Sequence, residues 1–383
     1  MLPYWRLSAY YFFYFAFIGA FSPYFSLYLK SLEFSAWDIG VLMSLLQVMR
    51  VVAPNVWGWL AERTGARMPI VRLASAASLA GFLGFFFAES FAGVFAAMTA
   101  LAFFWGAALP LVESVTLTHL GSQTARYGNI RLWGSIGFIA AVLGCGYLLD
   151  VAPLRSLLWV SAGLLAGILL ASIAMPEAAP ARHAADRQRL REIVRRPEVT
   201  ALLAACFFMS AAHGALYVFY SIFLVTSGYS KSAVGWLWTL GVVAEIGVFL
   251  YMPALLAALS VRAILLASFA AAVLRFLMIG WGVDWWWILV PAQLLHGATF
   301  GAYHAAAVAA VNNWFPGRHQ ARGQALYSSV SFGAGGMVGG LASGYAWDAI
   351  GPAPTYTLSS ALAIVGFVLV WRGLPGRAPA PVQ

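Results

Sequence analysis

The sequence predicts an all-α membrane protein of twelve transmembrane helices, arranged as two pseudo-symmetric six-helix bundles. Three observations carry that expectation: the composition, the spacing of the apolar stretches, and a likeness between the first and second halves. Of the 383 residues, 62% are hydrophobic and 9% charged, against roughly 25% charged in soluble domains. A water-soluble chain could not hide so much apolar surface. Apolar stretches of about 20 residues, long enough to cross a hydrocarbon core roughly 30 Å thick, recur along the chain.

The spans are read near 7–29, 37–60, 69–88, 91–118, 128–149 and 154–175, then near 199–226, 232–256, 261–281, 285–311, 322–346 and 354–372. This gives an N-terminal bundle, 1–175, a basic linker, 176–198, and a C-terminal bundle, 199–383. The linker holds Arg182, Arg187, Arg189, Arg191, Arg195 and Arg196. Placing both termini in the cytoplasm leaves only Lys30, Arg155 and Lys231 in outer loops, with Arg50 and Arg275 in mid-helix. The rest of the 22 lysines and arginines fall in cytoplasmic segments, as the positive-inside rule requires of an inner-membrane protein. The net charge of +9 is therefore topology, and no nucleic-acid partner is expected. Cys145 and Cys206 fall inside spans, which supports neither a disulfide framework nor a metal pair. No cofactor is expected. The N-terminal apolar run is longer than that of a signal peptide and lacks a small-residue cleavage site, so it reads as a retained first span.

The halves resemble each other. A displacement of 195 places Gly19-Ala20 on Gly214-Ala215, Ser35 on Ser230, Gly40 on Gly235 and Arg50 on Glu245. A displacement of 191 places Trp105 on His296, Gly106-Ala107 on Gly297-Ala298 and Glu113 on His304. Matched positions have thus diverged into complementary chemistry, which matters because transporters place their sites between internal repeats.

An ionisable residue at a helix centre costs roughly 2.5–3.5 kcal/mol and needs a partner or a watery cavity. The candidates are Arg50, Glu113, Arg131, Glu245, Arg275, His213, His296 and His304. Pairs such as Arg50 with Glu245, or Glu113 with Arg131, could simply tie helices together. The sharper reading is a hydrophilic cavity in which Glu113, Glu245, His296 and His304 exchange protons, since histidine titrates near neutral pH. His213 reads as a buried histidine satisfied by its neighbours. His296 and His304, eight residues apart and roughly 80° apart around a helix, could share a broad face but stand too far apart to share a metal.

The loop after the second span, Gly58-Trp59-Leu60-Ala61-Glu62-Arg63-Thr64-Gly65-Ala66-Arg67, resembles the signature loop of the major facilitator superfamily, with Glu62 where that family usually has Asp. Gly58 and Gly65 suit a close helix approach and a tight turn. Glu62 could accept hydrogen bonds from a helix N-terminus or pair with Arg63 or Arg67, acting as a latch. Pro110-Leu111-Val112-Glu113 and Arg131-Leu132-Trp133-Gly134-Ser135-Ile136-Gly137-Phe138 look like matching pieces of the lactose permease family. That resemblance implies substrate contacts from Glu113 and Arg131 and ring stacking from Phe138. It also matches Glu245, Arg275 and His296 to charged positions of that family, but puts Thr299 where its proton-carrying acid stands. Tyr127-Gly128-Asn129-Ile130-Arg131, Gly228-Tyr229-Ser230 and Leu240-Gly241-Val242-Val243-Ala244-Glu245 are similar to the phenylpropionate permease branch.

The resemblance implies a major facilitator fold and proton-coupled import of a small organic solute by alternating access. An aromatic carboxylate such as phenylpropionate is favoured, with a sugar or nucleoside as other possibilities. Arg50, Arg131 and Arg275 would suit its carboxylate, because guanidinium binds carboxylate in a two-pronged geometry. Trp105, Trp133, Phe138, Tyr217 and Trp236 are candidate packing surfaces, although most aromatics in such a chain serve the lipid face or interfacial belt. The expected partners are the solute, protons and the lipid bilayer, with the chain acting as a monomer. The alternatives are a proton-driven exporter of the same fold and, from another class, a non-transporting sensor or intramembrane enzyme. Against an enzyme, the spans lack paired Asp residues, a His-Glu-x-x-His helix and a Ser-His combination at motif spacing.

Overall fold

Inside a bilayer every backbone N–H and C=O must find its partner within the protein, and a helix satisfies that demand from its own chain. A computed structural model describes residues 2–121, 123, 126–178, 190–315 and 319–376, and no strand occurs among them. Arg182, Arg187 and Arg189 of the linker, with Arg318 and Arg377, lie outside the described residues. The first six helices are α1 (Tyr4–Ser31), α2 (Ala36–Thr64), α3 (Met68–Leu83), α4 (Phe91–Leu120), α5 (Tyr127–Val151) and α6 (Ser156–Ala174). A short α7 (Leu190–Val194) precedes α8 (Pro197–Ala212), α9 (Gly214–Thr226), α10 (Lys231–Ala258) and α11 (Val261–Gly282). The remainder is α12 (Trp286–Leu294), α13 (Tyr303–Trp314), α14 (His319–Ser328), α15 (Gly336–Ile350) and α16 (Pro352–Gly373). Two π-helical turns, Gly297–Ala302 and Ser329–Gly335, join α12 to α13 and α14 to α15.

These helices fall within a few residues of the expected spans. Among the described residues, eleven helical segments are long and apolar enough to cross a membrane. The eleventh expected span, 322–346, is helical from His319 to Ile350, but Gln320, Arg322, Gln324, its serines and its glycines dilute the hydropathy. Local signals set the starts. Ser35 and Asp38 form a reciprocal capping box on α2, and the Ser90 and Ser260 hydroxyls accept the Gly93 and Ala263 N–H groups to open α4 and α11.

The chain divides into two compact units. Unit 1 is Met1–Ala184 with Val218–Trp236, and unit 2 is Ala185–Tyr217 with Leu237–Gln383. Two helical stretches are deeply buried, α1 in unit 1 and α8–α9, whose residues up to Tyr217 belong to unit 2, with 72% and 78% of their apolar windows inside the protein against 11% for α10. On α1, Phe17, Phe21 and Phe25 stack in series and meet Phe82 and Phe85. The crossings of the central helices are equivalent. A Cβ on Gly137 of α5 would collide with the Phe12 carbonyl of α1, and a Cβ on Gly335 would collide with the Phe207 carbonyl of α8.

The α9–α10 turn is bound to unit 1. Asp150, at the end of α5, accepts the Lys231 N–H at 2.7 Å and the Ser232 N–H at 3.1 Å, two of the first-turn donors that a helix cannot satisfy itself. The Tyr24 hydroxyl lies 2.8 Å from the Val142 carbonyl and 3.1 Å from that of Lys231. Trp236 Nε1 donates to the Tyr147 hydroxyl at 3.0 Å.

Two outcomes follow from this packing. Gly137→Leu should abolish the monodisperse peak of detergent-solubilised protein in size-exclusion chromatography, whereas Gly144→Leu, on the same helix with nothing within 4 Å, should leave it intact. Asp150→Ala removes both acceptors from the start of α10 and should cost about 1 kcal/mol, read as a lower melting temperature. An unchanged melt would remove Asp150 from the account of how that turn is held.

Candidate functional site

In unit 1 the polar side chains come from α1, α2, α4 and α5. Glu113, half-buried on α4, accepts a hydrogen bond from the Tyr127 hydroxyl at 3.3 Å. Arg131, one turn along α5, places its guanidinium 4.2 Å from the Phe15 ring centre and 5.4 Å from that of Tyr11. Such cation–π contacts are worth about 0.5–2 kcal/mol. No ion pair within 4 Å joins Glu113 to Arg131 among the described residues, so the clasp considered for that pair is not formed. Tyr14 stacks on Trp105 at 4.7 Å with the rings 6° from parallel, and its phenol lies within electrostatic range of Arg50, Glu113 and Arg131. The buried Trp105 Nε1 has no acceptor among the described residues.

Unit 2 holds its cation differently. Arg275 of α11 is 1% exposed, and its donors are directed to protein acceptors. Nε bonds the Ala292 carbonyl at 3.0 Å, Nη1 bonds Thr299 Oγ1 at 2.9 Å and His296 Nδ1 at 3.0 Å, and Nη2 bonds Gln293 Oε1 at 3.1 Å. Ala292 lies in the last turn of α12, just before the first π-turn. A guanidinium only donates, so His296 Nδ1 must accept, and the neutral imidazole carries its proton on Nε2. That nitrogen faces Glu245 Oε2 at 3.6 Å. His213 bonds the Met209 carbonyl through Nδ1 at 2.8 Å and packs against Tyr217 and Phe276.

The π-turn sharpens the expected geometry of the two histidines. An α-helix would point residues eight apart in directions roughly 80° different, but a π-turn encloses an extra residue per hydrogen-bonded ring. The His296, Phe300 and His304 rings therefore stack in a row, with centres 5.4 and 5.8 Å apart and planes within 7° and 12°. His304 Nδ1 lies 2.9 Å from the Tyr327 hydroxyl. Phe332, from the second π-turn, lies 6.3 Å from Phe300 and 5.8 Å from both His304 and Tyr327.

Other expected residues stand elsewhere. Trp133 donates to the Tyr4 hydroxyl at 3.2 Å and meets Trp5 edge-on, so it packs on the start of α1. Trp236 is tied to Tyr147, and Tyr217 stacks between His213 and Trp238. At Phe138 it is the backbone that meets α1, across Gly19.

In the signature loop Gly65 does close α2, in the left-handed conformation at φ 67°, with its N–H bonded to the Ala61 carbonyl. A Cβ on Gly58 would meet nothing within 4 Å among the described residues. Arg63 lies over the Trp59 ring at 5.3 Å. Arg67 donates to Ser114 and Thr118 of α4. The acid that caps α3 is Glu177, which accepts the Arg67 and Met68 N–H groups at 3.0 and 2.8 Å. It stands far along the chain, where no local motif marks it. Phe300, Tyr327 and Phe332 are equally silent in sequence, whereas Thr299 is visible only as a departure from the lactose permease pattern.

Residues 4–358 match the MFS_1 like family. The chain is 30% identical over 356 residues to a protein of Escherichia coli (strain K12) named "Probable 3-phenylpropionic acid transporter", covering 89% of this chain and 90% of that one. It is 29% identical over 368 residues to the maltose permease of Geobacillus stearothermophilus, covering 94% and 92%. Among solved structures, that of the nucleoside transporter NupG matches with a TM-score of 0.83 at 16% identity, over 97% of this chain and all of that one, a likeness of fold. With its helical spans, repeated crossings and intramembrane charges, the chain belongs to the MFS_1 like family, within the major facilitator superfamily of membrane transporters.

Proposed function

We propose that this transporter imports a small organic acid together with protons, by alternating access across the cytoplasmic membrane, with both termini in the cytoplasm and as a monomer. Residues 1–175 and 199–383 would act as the duplicated halves and 176–198 as the basic linker. The observation that carries the reading is the chain Arg275–His296–Glu245. Because Arg275 occupies Nδ1 of His296, the imidazole cannot take a second proton there without losing a charge-assisted bond. Its Nε2–H is directed at Glu245, so the carboxylate is the group that loads and releases a proton. Arg275 is then a positioning residue for His296.

In unit 1 the roles are complementary. The Arg131 guanidinium rests on ring faces and can turn its N–H fork to a solute carboxylate. Glu113 is close enough in charge to sense that event and is the second proton-site candidate. Arg50, exposed in mid-helix, is a second cation for the same anion, since hydrocarbon would be a costly neighbour for it. An aromatic carboxylate is the favoured cargo, supported by these cations and by the name of the Escherichia coli relative.

Uptake of labelled 3-phenylpropionate into proteoliposomes tests the reading. An inward proton gradient should drive accumulation above equilibrium, and a protonophore should collapse it. Expulsion of the solute under the same gradient would instead mean export. Glu245→Gln and Glu113→Gln should each lose gradient-driven accumulation, and normal accumulation in either variant would remove that carboxylate from the coupling. Arg131→Gln should raise KM at least about tenfold, the loss of one charge-assisted contact, and an unchanged KM would exclude it from the carboxylate site.

A further inference from the structure

We propose that the two π-turns of unit 2 build a ring-binding surface, from Phe300 and Phe332 beside His304, that receives the aromatic part of the solute and sets the preference for aryl over saturated cargo. The inference rests on the proposed import of an aromatic acid and assigns the residues that would select it.

The geometry supplies the argument. The row His296, Phe300, His304 presents three nearly parallel rings along one face of the helix. Phe332 stands across from that row, tilted by 48° to Phe300 and 55° to His304. Phe300, His304 and Phe332 are each only partly buried, although all three belong to a cluster that also holds the buried Arg275 and His296. Lipid is an unfavourable neighbour for that face, because it carries His304 and is bordered at His296 by the 19%-exposed Glu245 side chain of α10, and titratable groups in membranes turn to the protein interior or to water. An open face of ring edges, flanked by polar groups at both ends, suits a flat solute with a polar tail. Ring edges carry positive potential and ring faces negative, so an aryl group laid against the row gains about threefold to tenfold over a cyclohexyl group of similar size. The π-turns give the surface its form, since without the extra residue the second histidine would rotate away from the first.

The test measures inhibition of labelled 3-phenylpropionate uptake by unlabelled 3-phenylpropionate and by 3-cyclohexylpropionate in proteoliposomes, with uridine and maltose as further labelled solutes. Wild-type protein should favour the aryl acid by about threefold to tenfold. Phe300→Leu and Phe332→Leu should bring that ratio towards one by raising KM for the aryl acid, with kcat and the cyclohexyl value little changed. Phe300→Tyr, which keeps the ring, should retain the preference and guards against a general folding defect. A ratio unmoved in both leucine variants overturns the surface. Uptake of uridine in place of either acid, lost in Phe300→Leu, keeps the surface and sinks the carboxylate reading. Uptake of maltose alone, indifferent to both variants, overturns both.

Discussion

A guanidinium buried in a membrane bundle has to be surrounded by acceptors, and in unit 2 that one requirement organises the neighbourhood. Arg275 draws its acceptors from a single stretch of chain: the Ala292 carbonyl, Gln293, His296 and Thr299. That stretch is where α12 ends and the first π-turn begins. The buried arginine needs acceptors, and that stretch supplies one carbonyl and three side chains. The tautomer of His296, and through it the proton facing Glu245, follows from the same contact.

Unit 1 treats its cation in the opposite way. Arg131 is held by the faces of Phe15 and Tyr11, which attract the charge without consuming the N–H donors. Glu113 is bonded to a phenol and not to the arginine. Unit 2 therefore directs its guanidinium to protein acceptors beside the Glu245 carboxylate, while unit 1 rests its guanidinium on ring faces. Buried ion pairs are costly to break, so, if Arg131 binds the proposed carboxylate, a site that releases its anion on every cycle is better built on ring faces than on a permanent carboxylate.

Much of this was legible in the sequence. Apolar length gave the spans, because a helix crossing a bilayer has no other way to satisfy its backbone. The intramembrane charges were visible because each is expensive where it stands. What the sequence could not convey was contact between distant residues: Glu177 capping α3, Tyr327 against His304, or Trp133 drawn to the start of α1 by Tyr4. The π-turns were hidden for a related reason. They change the register of side chains without changing which residues are apolar, so the periodicity of 285–311 and 322–346 reads as ordinary helix.

The duplication explains where the π-turns fall. The displacement that carries Trp105 onto His296 and Glu113 onto His304 lays the first π-turn, Gly297–Ala302, over the plain α-helical stretch of α4 just before Glu113. The one that carries Gly137 onto Gly335, whose crossings over Phe12 and Phe207 are equivalent, lays the second, Ser329–Gly335, over Arg131–Gly137 of α5. Each π-turn thus adjoins the counterpart of a unit 1 charge. Where unit 1 places a carboxylate and a guanidinium on regular helices, unit 2 has exchanged both charges for a change of helical pitch that aligns rings. The crossings that hold each unit together were kept, because a Cβ there would meet backbone that cannot yield. The second π-turn ends on one of those crossings, at Gly335, so the change of pitch lies beside the contact and leaves the glycine in place.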